Sequence, residues 1–312
     1  MALGGLGSYP VTAALLAINI VAFLFQQVPG LNVTDLGVNY GPLTISGEYW
    51  RLFTAGFLHG GIIHIGVNMW CLFSLGRLSE RLFGKWQTFA IYMVTGVGGA
   101  LLSIANNPQH GELGASGAVF GIVGAVIAGV KFGDLNISSG EKKAIVSSAV
   151  SFAVLNFLLG LSGNFGVGMF ANVDNMCHLG GFVTGLMIGL PLGAFHRNKS
   201  LQLATLVVTS AVLAAGGREL VQRDGPEAYK TAAVIAWHQT NYAKTVSMLE
   251  KYTIARPEDD VGLVMLGEAY LSANEPDKAI GAFEQALRVN PSSQDAKQDL
   301  EELRNRLAPE KK

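Results

Sequence analysis

Apolar residues in this chain gather in seven runs, each closed by charges, glycines or prolines. They cover about Val11–Val28, Ile62–Gly76, Trp86–Ala105, Ala115–Val130, Ala144–Leu161, Met176–Phe195 and Leu201–Gly217. Several fall slightly short of the roughly 20 residues of a full membrane crossing, and neighbouring glycine-rich residues extend most of them. The pattern predicts seven transmembrane helices. The seventh is the weakest, being short and ending in Gly216-Gly217-Arg218. The first run has no basic residues ahead of it and no small-residue cleavage site, so it reads as a retained span rather than a signal peptide. From about Pro226 the pattern becomes amphipathic with a helical period. Trp237, Lys244, Leu249 and Pro257 recur 33 or 34 residues later as Tyr270, Lys278, Phe283 and Pro291. This predicts two helical repeats, followed by a final helix over Gln294–Leu307.

Charge follows the same division. Half of the 312 residues are hydrophobic and 14% are charged, well below the roughly 25% of a soluble domain. The first 217 positions carry 16 charged residues and the last 95 carry 29. The expected organisation is an all-α chain: a six-span membrane domain at 1–199, a seventh span and linker at 200–220, and soluble helical repeats at 221–312. The net charge of -1 says nothing about nucleic acid, but no dense basic cluster marks a binding face, so no nucleic-acid partner is expected. Two cysteines, Cys71 and Cys177, make no disulfide framework.

Lys and Arg in the short loops set the orientation. Arg77, Arg81, Lys85, Lys131, Lys142, Lys143, Arg197 and Lys199 lie on one side and Arg51 alone on the other. Eight against one puts the N-terminus in the cytoplasm, and seven crossings would put the repeats outside. Spans 4 and 6 carry small-xxx-small faces, Gly117-Gly121-Gly124-Ala128 and Gly181-Gly185-Gly189. Such faces let backbones approach closely in lipid, so spans 4 and 6 are expected to touch.

Polar side chains inside spans are costly and mark function. Span 2 holds His64 and Asn68 on one helix face, span 4 opens with Ser116, and span 6 holds His178 just inside its start. All three spans run from outside to inside under this topology, so these residues share one layer near the outer end. A serine hydroxyl needs a base, and neutral imidazole is the usual one. A developing oxyanion needs donors, which His64, Asn68 and the backbone N–H groups opening span 4 can supply. No His-Glu-x-x-His pattern supports zinc hydrolysis. No acidic pair lies within the spans, Glu112 and Asp174 being at loop edges. The third member of a catalytic triad is also missing, which favours a Ser–His dyad.

These residues resemble the rhomboid family of intramembrane serine proteases, along most of residues 9–196. Trp50-Arg51 resembles the family's Trp-Arg signature. Phe57-Leu58-His59 followed by His64 and Asn68 resembles its His, His-x-x-x-Asn segment, and Gly114-Ala115-Ser116-Gly117 its Gly-x-Ser-Gly. Cys177-His178-Leu179-Gly180-Gly181 resembles the Ala-His-x-x-Gly of the base, with cysteine for alanine. The resemblance implies a six-helix core with Ser116 as nucleophile, His178 as general base, and His64 and Asn68 in the oxyanion hole. Phe120 would pack on the base, and Gly114, Gly117, His59, Trp50 and Arg51 would support the site. It implies cleavage of transmembrane substrate proteins near the outer face of the cell membrane, with no metal or cofactor. Ser162–Asn175, with Gly163, Gly166 and Gly168 around Phe165, Met169 and Phe170, suits a mobile apolar cap. Loop Pro29–Gly61, with Tyr40, Tyr49 and Trp50, suits a segment lying in the outer interface.

Leu266-Gly267-x-x-Tyr270 and Ala279-x-x-x-Phe283 before Pro291 resemble a tetratricopeptide repeat, which implies a protein or peptide partner or self-association. Two other readings compete. One is a catalytically silent rhomboid-like protein that binds membrane helices; the other is a membrane-anchored tetratricopeptide scaffold. Neither needs both Ser116 and His178.

Overall fold

The computed structural model describes residues 5–133, 135, 137–163 and 173–308. The apolar cap expected over Ser162–Asn175, including Phe165, Gly166, Gly168, Met169 and Phe170, falls largely outside the described residues. The chain divides into two compact units, Met1–Thr44 with Tyr49–Glu219 and Ile45–Glu48 with Leu220–Lys312. Seven helices follow the seven apolar runs: α1 Pro10–Gln26, α2 Ile62–Phe83, α3 Lys85–Asn106, α4 Ser116–Phe132, α5 Ser139–Gly163, α6 Asn175–Ala194 and α7 Lys199–His238. Among the described residues α2, α3, α6 and α7 are long and apolar enough to cross a membrane, and α1 and α4 are shorter apolar helices. The protein is a multi-pass membrane protein.

Helix α4 is the centre of the first unit. Every residue from Gly117 to Val130 is buried, as expected of a helix apolar on all sides. Its small residues face α6. A Cβ on Gly181 or Gly185 would collide with the carbonyl oxygens of Gly117 and Gly121, and one on Gly189 or Gly193 with those of Ala125 and Gly129. The two helices pack backbone on backbone, in the close approach that the small-residue faces predict. α3 joins the same seam, where a Cβ on Gly99 would come within 2.9 Å of the Cys177 Sγ.

Two helices run past their predicted ends. α2 continues from Gly76 to Phe83 because its polar end is partnered. The buried Glu80 carboxylate accepts hydrogen bonds from the N–H groups of Val11 and Thr12 and from the Thr12 hydroxyl, capping α1. Ser79 and Thr88 share a hydrogen bond of 2.9 Å. α7 runs unbroken through Gly216-Gly217 and past Pro226 to His238. Each glycine costs a helix only about 1 kcal/mol, and the far end buries Leu220, Ala228, Ala232, Ala233 and Ala236. That burial offsets the cost of the weak positions.

Loop 1 folds into short helices and a two-residue strand β1, Asn39–Tyr40, antiparallel to β2, Gly111–Glu112, with Asn39 opposite Glu112. This pairs the loop after α1 with the strand that leads to α4.

In the second unit α8 Tyr242–Ala255, α9 Asp260–Ser272, α10 Pro276–Val289 and α11 Gln294–Leu307 follow the end of α7. Repeat-marking residues lie in its core: Leu249, Leu266, Tyr270, Ala279 and Phe283 are buried, with Phe283 fully enclosed against Gly267. Asp259 caps α9 through the Val261 N–H, accepts from the Tyr252 hydroxyl and faces Lys230 at 3.6 Å. Burial opposes its ionisation. The Tyr252 hydroxyl, the Gly262 and Val261 N–H groups and Lys230 outweigh burial and hold the carboxyl below its usual range.

Three outcomes are expected. Gly185→Leu, which must push α4 and α6 apart, prevents recovery of folded protein or lowers its thermal midpoint by many degrees. Gly216→Ala, whose added carbon meets nothing within 4 Å, is tolerated in the same melt. Asp259→Ala lowers the stability of the repeat unit by about 0.5–2 kcal/mol at neutral pH. Because the Asp259 pKa is depressed on folding, this difference shrinks as pH falls through that depressed value. Hydrogen exchange at the start of α9 reads both effects.

Candidate active site

Three of the sequence-predicted residues stand at helix starts. Ser116 is the first residue of α4, His178 the fourth of α6, and His64 lies in the first turn of α2 with Asn68 one turn below it. The α4 start has no capping side chain, so its first N–H groups lack intrahelical partners and point toward Ser116's end. Ser116 is partly exposed, whereas His178 and Asn68 are buried.

Phe120 brings α4 and the base together. Its ring stacks on the His178 imidazole at 4.2 Å between centroids and 11° between planes. Phe120 sits one turn after Ser116, so the stack holds the imidazole over the turn that begins with the serine. Among the described residues His178 Nδ1 has no hydrogen-bond partner, and no hydrogen bond joins His178 to Ser116. The ring is oriented by an aromatic face, and among the described residues no carboxylate is hydrogen-bonded to it.

His64 is oriented by the backbone. The Gly60 N–H donates to His64 Nδ1 at 3.2 Å. In the neutral ring the proton then belongs on Nε2, making that nitrogen a donor. Nε2 faces Gly114, whose added Cβ would lie 2.8 Å from it and 3.8 Å from Ser116 Oγ. Gly114 also has φ +132°, a conformation that other residues rarely adopt. Its glycine identity thus has two physical causes. Gly117 is needed for close approach, since a Cβ there would come within 2.7 Å of the Cys177 Sγ.

The remaining residues support the loops. His59 is buried edge-on to His64 at 5.1 Å, and its backbone is clamped by the Gln26 amide, which accepts from the His59 N–H and donates to the His59 carbonyl. Arg51 is buried and donates to the carbonyls of Asp35 and Val38 at 2.7 and 2.8 Å. Exposed Trp50 donates to the Leu36 carbonyl. Trp50 and Arg51 therefore act on the loop 1 backbone.

A rhomboid domain matches residues 46–195, and a tetratricopeptide repeat matches 261–293. YdcA of Bacillus subtilis (strain 168) is 31% identical over 185 residues, 57% of this chain and 88% of its own length. The chain belongs to the rhomboid family. Rhomboid protease GluP of the same organism is 28% identical over 294 residues, 90% of this chain and 54% of GluP. RHOMBOID-like protein 4 of Arabidopsis thaliana is 37% identical over 145 residues, 46% of this chain and 34% of that protein. The chain thus spans between a third and about half of the length of these last two relatives.

Several groups of this rhomboid escape motif reading. Asp174 caps α6 through the Met176 and Cys177 N–H groups and accepts from the Ser103 hydroxyl, fixing the turn that carries His178. Glu112 is buried between Asn39 and Cys177. Tyr92 takes a hydrogen bond from Asn19 and gives one to the Gly56 carbonyl. The available signal was an acid at the edge of an apolar run, which Glu80, Glu112 and Asp174 share.

An aromatic stack is worth about 0.5–1.5 kcal/mol beyond burial. Phe120→Leu is therefore expected to keep the fold and slow reaction of Ser116 with a serine-directed probe by up to about tenfold. Gly114→Ala abolishes labelling while the protein still melts cooperatively. Labelling rates and thermal melts of the two variants check this.

Proposed function

We propose that this rhomboid is an intramembrane serine protease that hydrolyses a peptide bond of transmembrane substrate proteins near the outer membrane face. The observation that carries the reading is the Phe120–His178 stack, which supports the imidazole beside the turn opening with Ser116. The relatives named as rhomboid proteases support it from a separate direction.

His178 takes the proton from the Ser116 hydroxyl as the oxygen attacks the scissile carbonyl. Charge develops on the carbonyl oxygen, where His64 Nε2–H, the Asn68 amide and the first N–H groups of α4 act as donors. The tetrahedral intermediate collapses when the imidazolium gives its proton to the leaving amine, releasing one peptide and leaving an ester on Ser116. Water, deprotonated by His178, hydrolyses the ester. Before any of this the substrate helix must unwind locally, because its backbone groups are already bonded to one another. Substrates with small or helix-breaking residues near the cut suit such a site.

The Lys and Arg asymmetry of the loops supports a cytoplasmic N-terminus and a site that opens outward. A crossing by α7 then puts the tetratricopeptide unit outside, where its role is to bind a protein or peptide partner.

The test is a fluorophosphonate or isocoumarin probe on the purified full chain in detergent. Wild type is expected to label, and Ser116→Ala and His178→Ala to lose labelling by at least about a thousandfold. His64→Ala and Asn68→Ala each cost about ten- to a thousandfold. A folded wild type that takes no label would overturn the protease reading in favour of helix binding without cleavage.

A further inference from the structure

A buried polar chain runs beside the site without belonging to the dyad. The Thr44 hydroxyl donates to Asn39 Oδ1 at 2.9 Å. The Asn39 amide donates to the Ala100 carbonyl at 3.2 Å and to Glu112 Oε2 at 3.1 Å. Glu112 Oε1 meets Cys177 Sγ at 3.4 Å. Asn39, Glu112 and Cys177 are all at least 95% buried. The chain's two ends attach to the reacting groups by very short lengths of backbone. Glu112 lies on the strand four residues before Ser116, and Cys177 immediately precedes His178. The Cys177 thiol is also wedged between Gly99 of α3 and Gly117 of α4.

We propose that Glu112 is a positioning residue of this rhomboid, tying the strand that leads to Ser116 to the helix turn that carries His178 and to loop 1. The assignment rests on the protease reading above. Glu112 touches no reacting atom and acts through the spacing of the two helices. Cys177, where the family motif has alanine, supplies the group that makes the tie.

The carboxyl holds the tie best when neutral. Its carbonyl oxygen then accepts from the Asn39 amide, while its O–H and the thiol share the other contact. From α6 the titratable groups that face it are the Cys177 thiol and, further off, Asp174 at the helix cap; from β1 comes the uncharged amide of Asn39. Burial, and to a lesser degree Asp174, push the Glu112 carboxyl up to about 7, against the opposing pull of the Asn39 and Cys177 hydrogen bonds. A carboxyl whose pKa is raised by closure favours closure at low pH. That contribution is fully present below the unperturbed value of 4.5 and is lost as pH rises through about 7. The tie therefore loosens as pH rises through that range.

The test uses the full chain in detergent, comparing wild type with Glu112→Gln, which keeps an acceptor and a donor but cannot ionise. Probe labelling and cleavage of a transmembrane peptide are followed between about pH 5.5 and pH 9, with melts at each pH. The variant is expected to match wild type at the acid end and to exceed it increasingly above neutrality, by about threefold or more at about pH 9, in kcat rather than KM. Glu112→Leu, which leaves the Asn39 amide only the Ala100 carbonyl as acceptor, is slower at every pH. Cys177→Ala lowers the alkaline rate more in the Glu112→Gln background than in wild type, because only the variant still holds the tie at that pH. A labelled wild type whose ratio to Glu112→Gln stays constant across pH overturns this assignment alone. A folded wild type unlabelled at every pH overturns the protease reading and this assignment with it.

Discussion

Where α4 meets α6, backbone touches backbone: Gly181 and Gly185 rest on the carbonyls of Gly117 and Gly121, and Gly189 and Gly193 on those of Ala125 and Gly129. Lipid tails are as apolar as leucine, so burial alone gives two membrane helices no reason to associate. Close van der Waals packing and Cα–H···O contacts do, and only residues without a side chain reach that distance. The seam has a register of four residues on each helix, so a slip would move one helix by about a turn, 5.4 Å. Ser116 and His178 are carried at the starts of these two helices. Their mutual position is inherited from the seam, which on the protease reading makes the glycines part of the catalytic geometry; Gly117 directly follows Ser116.

Polar groups follow two different rules in the membrane unit. Those that hold the helices are tied. Glu80 caps α1, Asp174 caps α6, and Tyr92 is held between Asn19 and Gly56. Near the site they are left open. Among the described residues the buried side-chain atoms without a hydrogen-bond partner include both ring nitrogens of His59, both amide atoms of Asn175 and Nδ1 of His178. An unpaired buried polar atom costs about 1–3 kcal/mol. Asn19 Oδ1, on α1, is open as well, so among the described residues the unpartnered polar atoms of this unit are not confined to the site.

The helices and the seam were legible because lipid imposes hard rules on sequence. Apolar length marks a crossing, and glycine at every fourth position marks a close contact. The end of α2 was not legible, because Arg77, Ser79 and Glu80 look like a loop until Glu80 is seen bonded to Val11 and Thr12, nearly 70 residues away. The end of α7 was misread for the converse reason. Gly216, Gly217 and Pro226 are local signals, and burial of Leu220, Ala228 and Ala232 in the second unit overrode them. At the site, the apolar runs already put His64, Ser116 and His178 near the starts of α2, α4 and α6, where the structure has them. The fixing of the His64 tautomer by the Gly60 N–H was not, since a backbone donor leaves no trace in composition.

Among the described residues no carboxylate is hydrogen-bonded to His178 Nδ1, which on the protease reading suits where the site lies. An aspartate hydrogen-bonded to Nδ1 would stabilise the imidazolium, but it would hold a charge in a low-dielectric setting throughout the cycle, including when the ring is neutral. Burying an unpaired charge costs far more than burying an aromatic ring. Stacking on Phe120 fixes the plane of the imidazole without that standing charge. What stacking cannot do is fix rotation within the plane, because a ring face has no direction in it. That degree of freedom must be set by the turn to which His178 is attached. Asp174 holds that turn through the Met176 and Cys177 N–H groups, and Cys177 adds its contact with Glu112. Orientation that a triad concentrates in one hydrogen bond is here divided between an aromatic face and a helix cap.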